Sequence, residues 1–199
     1  MSKFLDIISD ISGLHRRAAF SDLPERIAAK ESAFLTLARE RYTCRKFKDT
    51  AVSDVEISHI VEAGRLAPSA KNAQPVHVWV VKSAQALEKI GQTSKSIYGA
   101  PLVLIVGCKP EDAWVRALDG KNEAEVDAAI AATHMMLEAT ALELGSVWVG
   151  SFDPVKVHEL FPETAGWDIV CLLPIGHPDM EPGPNHPQRK AKEEFVTEL

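Results

Sequence analysis

Cysteine is scarce in this chain. Cys44, Cys108 and Cys171 are the three thiols among 199 residues. Their odd number and wide spacing suggest no disulfide framework, and without a Cys-x-x-Cys pair no structural zinc site is expected. Cys108 and Cys171 fall in apolar runs and read as small core residues. Positive charge is also short: 22 Lys and Arg stand against 28 Asp and Glu, a net charge of −6. That balance argues against a general grip on nucleic acid, which needs a basic surface. It leaves room for a local basic pocket holding one anion. No run of about 18 apolar residues appears, so no membrane span is expected. No basic N-terminal region leads into an apolar signal core, and a reducing cytoplasm is the expected compartment. Gly-x-Gly-x-x-Gly, the Walker phosphate loop and the Gly-x-Ser-x-Gly elbow are all missing, so neither a Rossmann dinucleotide site nor a hydrolase nucleophile is expected.

What is present suits an ordinary globular domain, with 46% hydrophobic and 25% charged residues. Residues 1–33 read as an N-terminal helical extension, because Phe4, Leu5, Ile7, Ile8, Ile11 and Leu14 recur at helical spacing. Residues 34–199 read as one domain that includes a C-terminal arm bearing Pro182, Pro184 and Pro187. Ser53-Asp54-Val55-Glu56 is a capping box and opens a helix toward residue 67. Residues 76–81 are apolar nearly throughout and predict a strand covered on both faces. A short helix follows Ser83, and residues 101–108 predict a second buried strand. The polar stretch 109–122, holding Trp114 and Arg116, has the length of a lid or binding loop. Residues 125–144 predict the longest helix, rich in alanine. Its few polar groups are Asp127, Thr133, His134, Glu138, Thr140 and Glu143, and a helix so apolar must be buried on most sides, by its own domain or by a second subunit. Gly145 supplies its expected stop. Residues 146–152 predict a third strand, Asp153-Pro154 caps another helix, and residues 169–175 predict a fourth strand. Four apolar strands among helices make a three-layer body. His134-Met135-Met136 brings no second ligand at metal spacing, and methionine is a common core filler, so no metal site is expected.

Two stretches carry candidate binding groups. In Pro68-Ser69-Ala70-Lys71-Asn72-Ala73-Gln74-Pro75, a proline at each end bounds a polar loop between a helix and a strand. Such a loop, held by scaffold on both sides, is a common place for binding groups. Ser, Asn and Pro are equally the ordinary turn residues, so composition leaves both readings open. Upstream, Arg41-Tyr42-Thr43-Cys44-Arg45-Lys46-Phe47 sets arginines on either side of a hydroxyl, a set that could grip a phosphate with charge-assisted hydrogen bonds.

Arg-x-Thr-x-Arg-x-Phe, an amphipathic helix, then Ala-Pro-Ser-Ala-x-Asn-x-Gln-Pro resembles the opening of the nitroreductase family of FMN-dependent oxidoreductases. Ala100-Pro101, the long helix with Gly145 to Phe152 after it, Gly176-His177-Pro178 and Arg189-Lys190 continue the resemblance in order, over about residues 34–196. It implies an α+β fold: three α/β/α layers, a central mostly antiparallel sheet of four to five strands flanked by helices, and an intertwined homodimer with FMN at the interface. Carried over by position, Arg41, Thr43 and Arg189 look like the phosphate and ribityl grip, with Lys190 as the alternative to Arg189, and Tyr42 lies against the ribityl chain. Arg45 looks like the cation near flavin N1 and O2. Pro68, Ser69, Ala70 and Asn72 look like flavin contacts given across the dimer, and Val149, Gly150 and Ser151 like the wall beside N5. No protein side chain acts as a nucleophile; the flavin carries the chemistry. The implied reaction is ping-pong hydride transfer from NADH or NADPH through flavin N5 to a nitroaromatic, a quinone or a similar small acceptor. Reductive dehalogenation, a flavin-holding or sensor role, and a cofactor-free interaction module are the competing readings.

Overall fold

The computed structural model describes residues 32–199. The helices expected earlier in the chain lie outside the described residues, as does nearly all of the extension 1–33. Contacts divide the chain into a unit ending at Ala38 and a second unit, Arg39–Leu199. Helix α1, Ala33–Glu40, spans that boundary.

Within the second unit the apolar runs become a four-stranded sheet, β1 Val76–Val81, β2 Leu102–Cys108, β3 Gly145–Ser146 and β4 Asp168–Gly176, in the order β1-β2-β4-β3. Every neighbouring pair is antiparallel. Helices α2 Asp54–Arg65, α3 Ala84–Gly91, α4 Ala124–Ala141, α5 Pro154–Leu160 and the single turn α6 Lys192–Phe195 surround or follow the strands, with short 3-10 turns between them. The expected α+β architecture is therefore present. The layers follow from the two-residue period of β2. Leu102, Leu104 and Val106 point toward Ile57 and Ile60 of α2 and Ala128, Ala132 and Met135 of α4. Val103 and Ile105 point the other way, toward Ile90 of α3 and Val157 of α5.

The start signals act as expected. Ser53 accepts from the Glu56 N–H at 3.2 Å while the Glu56 carboxylate accepts from the Ser53 N–H at 2.7 Å, closing the capping box of α2. Asp153 accepts from the Lys156 N–H at 3.0 Å, with Pro154 in the first helical position of α5.

Three expectations change. β1 is an edge strand with His77 and Val80 exposed, not a strand covered on both faces. Trp167 packs beside two of its rings, 5.6 Å from Trp79 and 5.1 Å from His77. The strand expected over 146–152 is cut to Gly145–Ser146. Its register with β4 continues, since the Val147 N–H donates to the Pro174 carbonyl at 3.1 Å and Val149 bridges Leu172. Pro174, however, has no N–H to return the bond, so the ladder breaks there. Finally, Gly145 is not the stop of α4. Glu143 takes the left-handed conformation, φ 61°. The Leu144 N–H bonds the Ala139 carbonyl at 2.8 Å and the Glu143 N–H bonds that of Thr140 at 3.0 Å, a Schellman ending without glycine.

Gly145 has a different purpose. A Cβ there would lie 2.6 Å from the Cys44 Cβ and 2.7 Å from its Sγ. The missing side chain lets the 41–47 segment lie against β3. Gly145→Ala is expected to destabilise the protein by about 1–3 kcal/mol, the usual range for overpacking a filled core. Urea unfolding measures it; an unchanged midpoint would contradict this account.

Candidate functional site

The segment 41–47 runs extended along the β3 edge. Thr43 forms a parallel bridge with Ser146, the Cys44 N–H donates to the Ser146 carbonyl at 3.0 Å, and Phe47 bridges Pro178. Extended geometry sends alternate side chains to opposite sides. Cys44 goes inward and is fully buried, while Arg41, Thr43 and Arg45 line one pocket of about 330 Å³. The C-terminal arm closes its other wall. The Tyr42 hydroxyl donates to the Met180 carbonyl at 2.8 Å, and the Arg45 N–H donates to the Met180 Sδ at 3.1 Å. Asn185, His186 and Arg189 then face the same space.

The electrostatics of this pocket are one-sided. Three arginines line it and no carboxylate does. Among the described residues neither Arg41 nor Arg45 has an acidic side chain paired to it. Burial, and after it the like charge of Arg189, pulls the Arg41 pKa below its ordinary value. Arg189 donates to the His186 and Gln188 carbonyls at 2.6 and 2.7 Å, which fixes its guanidinium on the arm. Burial first, then the neighbouring Cys44 thiol, pushes the Tyr42 phenol up to about 12, so it stays a protonated donor. Cations collected with no anion among them make a site for one.

The other candidate residues fall in two further places. Val149, Gly150 and Ser151 continue along the same sheet edge, Val149 opposite Leu172. The Ser94 hydroxyl fixes them by donating to the Ser151 carbonyl at 2.6 Å. A Cβ at Gly150 would meet nothing nearer than Trp148 Nε1 at 3.8 Å, so the chain's own packing does not require that glycine. Pro68, Ser69, Ala70 and Asn72 lie at the opposite corner. Their loop enters β1 at Val76, beside Cys108 and, through it, Asp168, the first residue of β4. The arginine pocket lies past the far end of β4 and beyond the opposite edge strand. Nine residues of β4 and three strand spacings put loop and pocket roughly 30 Å apart within one chain. The loop is held in an uncommon shape, with Lys71, Asn72 and Gln74 left-handed at φ 52°, 56° and 53°. The Gln74 N–H bonds the Ser69 hydroxyl at 3.0 Å, bracing the turn internally.

Sequence reasoning missed Asn185 and His186. They lie in a proline-bearing arm that has no periodicity to reveal which side chains turn inward. Lys190, the alternative to Arg189, does not line the pocket. A larger open groove of about 550 Å³ beside Asp49, Ser94, Lys95 and Tyr98 brings none of the candidate residues except their neighbour Ser94. Among the described residues no group of three or more His, Cys, Asp or Glu could hold a metal, and no helix is long and apolar enough to cross a membrane.

The model of the family described as "Nitroreductase family" matches residues 38–97 and 92–177. The chain belongs to the nitroreductase family. A solved nitroreductase family protein from Clostridium difficile 630 is 31% identical, with a TM-score of 0.78 covering 83% of this chain and 98% of that one. A relative from Methanothermobacter thermautotrophicus, provisionally named NADH dehydrogenase/NAD(P)H nitroreductase, is 30% identical over 75% of this chain and 79% of its own length. A provisionally named nitroreductase from Desulfovibrio desulfuricans, solved in complex with FMN, is 26% identical with a TM-score of 0.71 and covers 85% of this chain and 98% of that one. This nitroreductase-family chain thus shares its fold with solved members of the family.

Proposed function

We propose that the protein is an FMN-dependent oxidoreductase that takes hydride from NADH or NADPH and gives it to a small acceptor such as a nitroaromatic or a quinone, in ping-pong order. The observation that carries this reading is the set of unneutralised arginines around one pocket. Those residues fit the phosphate end of FMN. Arg41 and Arg189 offer fixed positive charge and Thr43 a hydroxyl, while Tyr42, its hydroxyl bonded to the Met180 carbonyl, would lie against the ribityl chain. FMN, when bound, supplies the hydride chemistry. The chain's own residues bind, orient and shield. Arg45 would hold positive charge beside the ring, and the backbone at Val149, Gly150 and Ser151 would form an uncrowded wall on which it lies.

Pro68, Ser69, Ala70 and Asn72 are too far from their own subunit's pocket to meet the same ring. We infer that they serve the pocket of a second copy, so the working unit is a homodimer. The outward stripe of α4 favours this. Val126 is 41% exposed, and Ile130 and Leu137 on the same stripe are only half-covered.

Reductive dehalogenation finds less support. Arg116, the candidate carboxylate partner in the 109–122 loop, is held by both oxygens of Asp119 at 2.7 and 2.6 Å. The test is the absorbance spectrum of the purified protein, before and after anaerobic NADH or NADPH. A flavin spectrum that bleaches with either nucleotide is expected. A colourless protein that takes up no FMN would reject the flavin reading, and a coloured one that neither nucleotide reduces would reject the oxidoreductase.

A further inference from the structure

Asp127 is an unusual residue for its position. It lies one turn into α4 among Ala124, Ala128 and Ala131, and is 2% exposed. Its Oδ1 accepts from the Ala70 N–H at 2.9 Å, while its buried Oδ2 has no partner among the described residues. A buried carboxylate with one oxygen unpaired opposes folding, so it calls for a purpose other than stability. Its one partner points to that purpose. Among the described residues, the Ala70–Asp127 bond ties the middle of the loop to another element; the other hydrogen bonds of residues 68–74 stay inside the loop, and Pro75 at its end accepts from the Lys109 N–H at 2.9 Å. Three non-glycine residues of this loop are left-handed. Such a conformation is costly away from glycine and persists only where its surroundings hold it.

We propose that Asp127 is a positioning residue: through the Ala70 N–H it locks the 68–75 loop in the shape that receives the ring of a bound flavin. The inference rests on the flavin reading above and adds to it a residue outside the candidate contact set. Asp127 touches no ligand itself. It anchors the loop to α4, the helix whose outward stripe would meet the second copy, so the ring-side contacts and the dimer face share one rigid support.

The experiment is a pair of flavin titrations, FMN and riboflavin, read by fluorescence on the full-length flavin-free protein. Asp127→Ala should weaken both ligands by the same factor, about tenfold or more, the loss expected when a buried N–H is left without its acceptor. A lesion at the phosphate end would instead weaken FMN alone. Asp127→Asn keeps an oxygen facing Ala70 and should bind close to the parent. In the flavin-free protein the Ala70 amide should exchange about tenfold faster in Asp127→Ala than in the parent. If the alanine variant does not fold, Asp127→Leu fills the volume without an acceptor and takes its place. The proposal is overturned if the variant lacking the acceptor binds both flavins like the parent, if asparagine fails along with alanine, or if amide exchange is unchanged. A parent that binds no flavin sinks the flavin reading instead, and the exchange measurement still judges the anchoring.

Discussion

Arg41→Ala with Arg45→Ala is expected to weaken FMN binding by about a hundredfold or more. Each hydrogen bond to a charged group contributes about 1.5–3 kcal/mol, and about 1.4 kcal/mol is a factor of ten. The two residues should also separate. Arg41 stands with Arg189 in the pocket assigned to the phosphate, so Arg41→Ala alone should erode the preference for FMN over riboflavin and leave riboflavin affinity intact. Arg45, assigned to the ring, should affect both ligands. Stability should move differently from affinity. Arg41 is held below its ordinary pKa by burial and by Arg189, so without an anion its charge is a burden on the fold. The flavin-free Arg41→Ala protein should therefore melt no lower than the parent, while FMN should raise the parent's melting temperature much further than the variant's. Tight FMN binding by the double variant would show that this pocket is not the phosphate site.

Much of this arrangement was legible in the sequence because the signals are local. A capping box depends on residues three apart, and Ser53 with Glu56 forms one. Arg41, Thr43 and Arg45 needed only an extended chain to face one side. Features set by distant residues were not legible. The third strand stops early because Pro174, on another strand, cannot return a hydrogen bond to Val147. The reason for Gly145 is Cys44, about a hundred positions upstream. Asp127 read as one of several polar groups on α4, and its partner Ala70 lies beyond any helical or strand period. His186 reached the pocket through the fold of an arm whose sequence signals, proline and Arg189-Lys190, did not point to it. The α2 to α5 body was thus readable as elements, whereas the separation of loop from pocket required the strand order.

That separation yields the second large effect, which appears only when two damaged proteins are mixed. Let one copy carry Arg41→Ala and Arg45→Ala, and another carry Ala70→Glu, which sets a bulky charge on the loop. Each homodimer should bind almost no FMN. In a mixed dimer, one site joins the damaged pocket to the damaged loop, while the other joins an intact pocket to an intact loop. Random pairing of equal amounts makes half the dimers mixed, so about one quarter of all sites should recover parental affinity and NAD(P)H-driven turnover. If pocket and loop served one site within a single subunit, every site in the mixture would keep a lesion and no activity would return. The outcome does not depend on how severe each lesion is, provided each alone abolishes binding. Recovery cannot come from partial function in either parent, because the two are measured separately. The roughly 30 Å from loop to pocket leaves recovery as the expected result, since no single ring can touch both ends of one subunit's sheet.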